Sequence, residues 1–193
     1  LPHGVVLRLG RPEVLDSALT LYSHLQVLHA GQLVYQDSAN EYEAARRPYP
    51  TTFADGTRGA TVLLEVNNRD LNLLLQLRIS NGRGTVTDTL PVFITGAAQL
   101  DDDAPLELAG MLTSNEVGGD RGEYTTYNPI CYYELTAAGP VFDAKLTERR
   151  IRTIYGQFLG FRFRSEPAMP ASTNEAYAAE LARIRKAGRS PVN

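Results

Sequence analysis

The chain has one cysteine, three histidines, two methionines and no tryptophan among 193 residues. A lone thiol, Cys131, cannot close an internal disulfide, and it lacks the partners of a structural zinc site. It lies in a tyrosine-rich segment without an adjacent base, which predicts a buried, inert side chain. His24 and His29 are five positions apart. That spacing suits neither a metal pair on one helix face nor one on a strand face, and His3 stands near the chain start. No serine occupies a Gly-x-Ser-x-Gly elbow, so an α/β-hydrolase nucleophile has no support. Gly82-Arg83-Gly84 and Gly118-Gly119-Asp120-Arg121-Gly122 lack the lysine and following helix of a phosphate-binding loop, and both read as turns. No run approaches the ~18 apolar residues of a membrane-spanning helix. A formal charge of -3 gives no global attraction for nucleic acid or an anionic membrane. There are no internal repeats, and nothing in the sequence implies a cofactor.

What is present is a β pattern. Hydrophobic residues make up 43% of the chain, enough for a full core. From Leu71 onward every odd position is apolar: Leu71, Leu73, Leu75, Leu77 and Ile79. The even positions are polar except for Leu74. Period two marks a strand with one buried face. Val62, Leu64 and Val66 form a shorter run before it, and Asn67-Asn68-Arg69-Asp70 supplies turn chemistry between the two. A β-hairpin at the centre of an antiparallel sheet follows.

Around this hairpin, Val5 to Leu9 suits an edge strand. Pro12 to Val27 carries two competing periods, read here as a short N-terminal helix giving way to a strand near His24. Leu25 to Gln36 reads as a hairpin turning at Ala30-Gly31. Asp37 to Gly59, with Pro48, Pro50 and Asp55-Gly56, reads as a long polar connection. The strand after Gly84 contains Pro91, which demands an edge or a bulge. Leu106 to Thr113, Glu123 to Thr136, Val141 to Thr147 and Ile151 to Arg164 all look strand-like. After Pro167 and Pro170, Ser172-Thr173-Asn174-Glu175 resembles a capping box. Tyr177, Leu181 and Ile184 then form one helical stripe that stops at Gly188. The expected fold is mainly β, an antiparallel sandwich or small barrel of about eight to ten strands. Residues 1–165 form the β-domain in this reading. Residues 166–193 form a linker and a helix that docks on the domain or on a partner.

Three stretches carry a resemblance: Leu28 to Tyr35, Leu73 to Gly84 and Lys145 to Phe163. Gly31 with Tyr35, Gly84-Thr85-Val86, and Thr147 with Gly156 and Phe158 resemble landmarks of small secreted or lipid-anchored bacterial β-domains of unassigned function. That family usually places tryptophan where Tyr35 stands. The likeness spans residues 25–165 and implies a compact β-domain at the cell envelope, with no activity attached. Leu1 implies a preceding segment, whether a processed signal peptide, a lipoprotein leader or a cut in a longer chain. A periplasmic, cell-surface or secreted address is expected, with the cytoplasm left open by the single cysteine.

Candidate chemistry concentrates in the second half. Tyr124, Tyr127 and Tyr132, near Thr125, Thr126 and Asn128, have the rings and hydroxyls that stack on sugars. Arg162 and Arg164 alternate with Phe161 and Phe163 and would meet an anionic group, with Arg149, Arg150 and Arg152 close in sequence. Asp101, Asp102 and Asp103, with Asp120 and Glu123, offer hard oxygen ligands for calcium if the loops converge, in a spacing that matches no EF-hand. The leading expectation is a non-catalytic binding module for a glycan or small amphipathic ligand. The alternative is an assembly subunit that docks on a protein partner through a strand edge or the C-terminal helix. A third reading, an enzyme, needs carboxylates from distant loops, such as Asp120 or Glu123 with Asp143. Oligomeric state is open.

Overall fold

The computed structural model describes residues 1–15, 20–43, 49–55, 59–68, 71–94 and 96–188. The fold is mainly β with antiparallel sheets, in keeping with a sandwich-like architecture, and has two helices among the described residues. Packing divides the chain into two compact units. One comprises Leu1–Val92 with Ala137–Gly139, the other Phe93–Thr136 with Pro140–Asn193.

The first unit is one eight-stranded sheet. Its strands are β1 (Val5–Val14), β2 (Thr20–His29), β3 (Gln32–Asp37), β4 (Glu41–Glu43), β5 (Thr51–Asp55), β6 (Gly59–Asn68), β7 (Leu71–Ser80) and β8 (Arg83–Pro91). The predicted central hairpin is β6–β7, paired from Ala60↔Ile79 to Asn68↔Leu71; the Arg69-Asp70 part of its turn lies outside the described residues. Alternation delivers Val62, Leu64, Val66, Leu75, Leu77 and Ile79 to one core with Leu25 and Val27 of β2, Val34 of β3 and Tyr42 of β4. Leu74, the exception to the alternation, is also fully buried. It sits opposite Glu65 on β6 and Leu90 on β8, both buried, so this part of the sheet is covered on both faces.

Two expectations for this unit are corrected. Among the described residues no helix lies between Pro12 and His24: β1 runs through Val14 and β2 begins at Thr20, with residues 16–19 outside the described residues. The strand period prevails because Leu25 and Val27 join the sheet core and Tyr22 packs against it, while Leu21 is buried as well. Pro12 fits because β1 pairs only with β2 among the described residues, and an edge strand tolerates a missing N–H. The stretch from Asp37 to Gly59 is not one long loop but holds β4 and β5; Pro48 and Gly56 lie outside the described residues. Asp37 turns the chain between β3 and β4. Its Oδ2 accepts from the amides of Ala39 and Asn40 and from the Tyr42 hydroxyl at 2.7 Å. Pro91 lies where expected, on the strand that ends the sheet path, and a register shift at Gln76/Leu77 marks a bulge.

In the second unit, β9 (Glu107–Gly110), β12 (Cys131–Thr136) and β13 (Gly139–Phe142) form one three-stranded sheet. A second contains β10 (Val117–Gly118), β11 (Tyr124–Thr126) and β14 (Pro167–Pro170). Helices α1 (Ala144–Tyr155) and α2 (Ser172–Ala187) pack with them around Leu100, Ala109, Tyr127, Tyr132, Ile151 and Ile184. The strand reading of Ile151 to Arg164 is corrected. Asp143 caps α1 by accepting the Leu146 amide, and Thr147, Ile151 and Tyr155 recur on its buried face. Gly156, read as a bend in a strand, is the left-handed cap at φ 73° that ends the helix. For α2 the helix stands as expected, but the capping box does not form. Ala171 is the N-cap without a side-chain bond, and the Thr173 hydroxyl donates to the Pro170 carbonyl.

Among the described residues of the first unit, Gly84 has no room for a side chain. A Cβ on Gly84, at the start of β8, would stand 2.8 Å from Cβ of Tyr35 and 3.2 Å from the Val34 carbonyl oxygen of β3. The close passage of β8 over β3 therefore depends on glycine. Gly84→Ala is expected to lower stability by about 1–3 kcal/mol, as overpacking does. Gly96→Ala, where nothing lies within 4 Å, serves as the control. Denaturant melts of the two variants give the comparison.

Candidate functional site

The site is built within the second unit, where a loop meets two helices. Ala98 and Glu107 exchange backbone hydrogen bonds, each 2.9 Å, and so close the intervening loop. Glu107 then turns back, and its Oε2 accepts the Leu100 amide at 2.6 Å. The Gln99 side-chain amide donates to the Asp103 carbonyl, and the Asp103 amide donates to Asp101 Oδ1. As a result, carboxylate oxygens of Asp101, Asp103 and Glu107 all lie within 4.8 Å of one another. Burial raises the Glu107 carboxyl above its ordinary range, with the Leu100 amide opposing. Desolvation and then the adjacent Asp101 charge raise Asp103.

Helix α1 brings two arginines to this loop. Arg150 Nη2 donates to the Leu100 carbonyl at 2.8 Å, and Arg149 Nη2 stands 3.5 Å from Asp101 Oδ2. Behind them, α2 supplies the buried Glu180, whose carboxylate is the local hub. Arg183 grips it with Nε and Nη2, both at 2.9 Å, and the Tyr132 hydroxyl of β12 donates to it as well. Arg150 Nε lies 3.7 Å from the same carboxylate and, buried, has no hydrogen-bond partner among the described residues. Burial pushes the Glu180 carboxyl up, but the bonds from Arg183 and Tyr132 and the Arg150 charge outweigh it, holding the group below its ordinary value. A pocket of about 480 Å³ opens between the 99–102 loop and the guanidinium groups of Arg149, Arg150 and Arg183. That size falls in the range of small-molecule sites.

The residues singled out from sequence are dispersed. Tyr127 and Tyr132 are fully buried, so neither offers a ring to a sugar. The Tyr127 hydroxyl donates to the Gly160 carbonyl and its ring packs 5.0 Å from that of Tyr155. Only Tyr124 of the three is exposed, at 53%. Thr125, Thr126 and Asn128 are likewise interior, bonded to the Glu116 and Thr113 carbonyls. Arg162 and Arg164 are exposed in the irregular stretch after α1, and Arg164 donates to the Leu159 carbonyl. Of the calcium candidates, Asp101 and Asp103 converge, joined by Glu107, while Asp120 sits in the β10–β11 turn outside that group. Asp101 and Glu107 are already engaged by Arg149 and by backbone amides. The carboxylates considered for acid–base chemistry have structural partners too: Glu123 accepts the Arg121 amide, and Asp143 caps α1. Cys131 is buried, donates to the Phe161 carbonyl, and is pushed up to about 12 by burial.

Sequence reasoning passed over Glu107, Glu180 and Arg183, weighed Asp102 only as a calcium ligand, and read Arg149 and Arg150 only as positive charge near a strand. The signal was available in part: Asp143 followed by a Thr147, Ile151, Tyr155 stripe and Gly156 is the signature of a capped helix.

Glu180→Ala is expected to cost about 2 kcal/mol at neutral pH, the scale of charge-assisted hydrogen bonds. The loss stays below that of a fully buried pair because Arg183 remains 36% exposed. Because the folded carboxyl is depressed, its contribution is complete above the ordinary carboxylate pKa and fades as pH falls through the lower folded value. The gap between wild type and variant should therefore narrow on acidification, as urea melts across a pH series would measure.

No protein-family model, curated protein or solved structure matches this chain.

Proposed function

We propose that this chain is a non-catalytic binding module that takes a small oxyanion, a carboxylate or phosphate group, between the 99–102 loop and the arginines of α1 and α2. The observation that carries this reading is the surplus of guanidinium donors at the pocket. Arg183 is committed to Glu180. Arg149, whose side chain is 63% exposed, holds Asp101 only through a 3.5 Å contact, and Arg150 lines the pocket with one Nη on the Leu100 carbonyl and its buried Nε turned toward Glu180. Guanidinium forks match the planar or tetrahedral oxygens of carboxylate and phosphate, and a partly enclosed site makes each such bond stronger than in open water.

The sugar-stacking reading loses its platform with the burial of Tyr127 and Tyr132. The ligand-binding role passes instead to charged groups, and the sequence-level expectation of an anionic partner for the arginines moves from Arg162 and Arg164 to Arg149 and Arg150.

Calorimetric titration with ethyl phosphate and with propionate tests the proposal. Binding of at least one probe is expected, weakened about tenfold by Arg149→Ala, the loss of one charge-assisted bond. Arg149 is exposed, so the variant should melt within about 0.5 kcal/mol of wild type. Absence of binding at millimolar concentrations, or binding indifferent to Arg149→Ala, would reject it.

A further inference from the structure

The charge balance of the pocket narrows the ligand class. Three guanidinium groups line it, but so do the carboxylates of Asp101 and Asp102, with Glu180 directly behind. These charges cancel. A ligand bearing only negative charge would leave the filled pocket with an uncompensated charge and would face two carboxylates at its mouth. Asp101 already meets Arg149 and the Asp103 amide. Asp102 is different: it is exposed on the pocket wall and makes no hydrogen bond or ion pair among the described residues. It is a free anion near the exposed Arg149 guanidinium, which is held only by its 3.5 Å contact with Asp101.

Resting on the oxyanion reading above, we infer that the ligand is a small zwitterion. Its oxyanion is received by Arg149 and Arg150, and its ammonium group, a few bonds away, by Asp102 with Asp101. A bifunctional ligand of this kind keeps the pocket neutral. It also gives each lining charge an opposite partner, which a simple anion cannot do. An ammonium donates three hydrogen bonds and accepts none, so it suits a wall of carboxylate oxygens. The Gln99 side chain, held to the Asp103 carbonyl, and the Leu100 carbonyl, held by Arg150, fix the loop that carries both aspartates.

The test compares matched probes that differ in the ammonium group alone: O-phosphoethanolamine against ethyl phosphate, and β-alanine against propionate, each titrated into wild type and Asp102→Asn. The amine-bearing member of at least one pair should bind about tenfold more tightly than its partner. Asp102→Asn should abolish most of that preference while leaving the amine-free probe unchanged or bound slightly better. Asp102 is exposed, so folding is not at stake. Equal affinity within both pairs, or a preference that survives Asp102→Asn, overturns the zwitterion assignment and leaves the oxyanion site standing. Failure of all four probes to bind overturns the oxyanion site itself.

Discussion

Burying the Glu180 carboxylate obliges its neighbours to come to it. A buried unpaired carboxylate would cost several kcal/mol, and this one is compensated from three elements at once: the Tyr132 hydroxyl on β12, the Arg183 fork on α2 and the Arg150 charge on α1. The requirement fixes the placement of both helices against the sheet. It also sets the direction of Arg150, whose far end reaches the Leu100 carbonyl and ties down the 99–102 loop. A second tie acts in parallel, since the Tyr132 amide donates to Thr147 Oγ1 on α1 at 2.9 Å. The pocket is a by-product of this arrangement: two helices and a loop held around one carboxylate leave a gap rimmed by the side chains that hold it.

Such a construction separates structural arginines from available ones. Arg183 spends its fork on Glu180, whereas Arg149 lies on the outer side of α1 with most of its surface in water. Arg150 stands between, anchored through one Nη to the loop and facing Glu180 through a loosely placed Nε. Local neutrality is then a stability requirement as well as a recognition device. An excess of arginine here would strain the unit in the absence of ligand, and the aspartates of the loop prevent that.

How much of this was legible in the sequence depends on range. The β6–β7 hairpin was readable because strand alternation is a local property: Leu71 to Ile79 displays its buried face without reference to the rest of the chain. Pro91 and the α2 stripe were readable for the same reason. The short strands β4 and β5 were not, since three to five residues carry too few periods to rise above a polar background. Helix α1 was hidden by β-branched Ile151, Thr153 and Ile154 and by the alternation of Phe161 and Phe163, which continued an apparent strand past the Gly156 cap. The tyrosine segment misled because exposure is a tertiary property. Tyr127 and Tyr132 have the chemistry of a sugar platform, and the fold spends both hydroxyls on internal acceptors. The pocket is the least local feature of all: Asp101, Arg150 and Arg183 are separated by tens of residues, and only the packing of α1 and α2 joins them.

The most direct test of this division of labour is to follow the arginine side-chain Nε–H signals by nitrogen-edited NMR while O-phosphoethanolamine is added. The account predicts that the Arg149 and Arg150 signals move with ligand, while the Arg183 signal, locked on Glu180, stays in place and exchanges slowly with solvent. Movement of Arg183 with Arg149 and Arg150 silent would contradict it. That result would mean that the Glu180 carboxylate is not the fixed point around which the pocket is built.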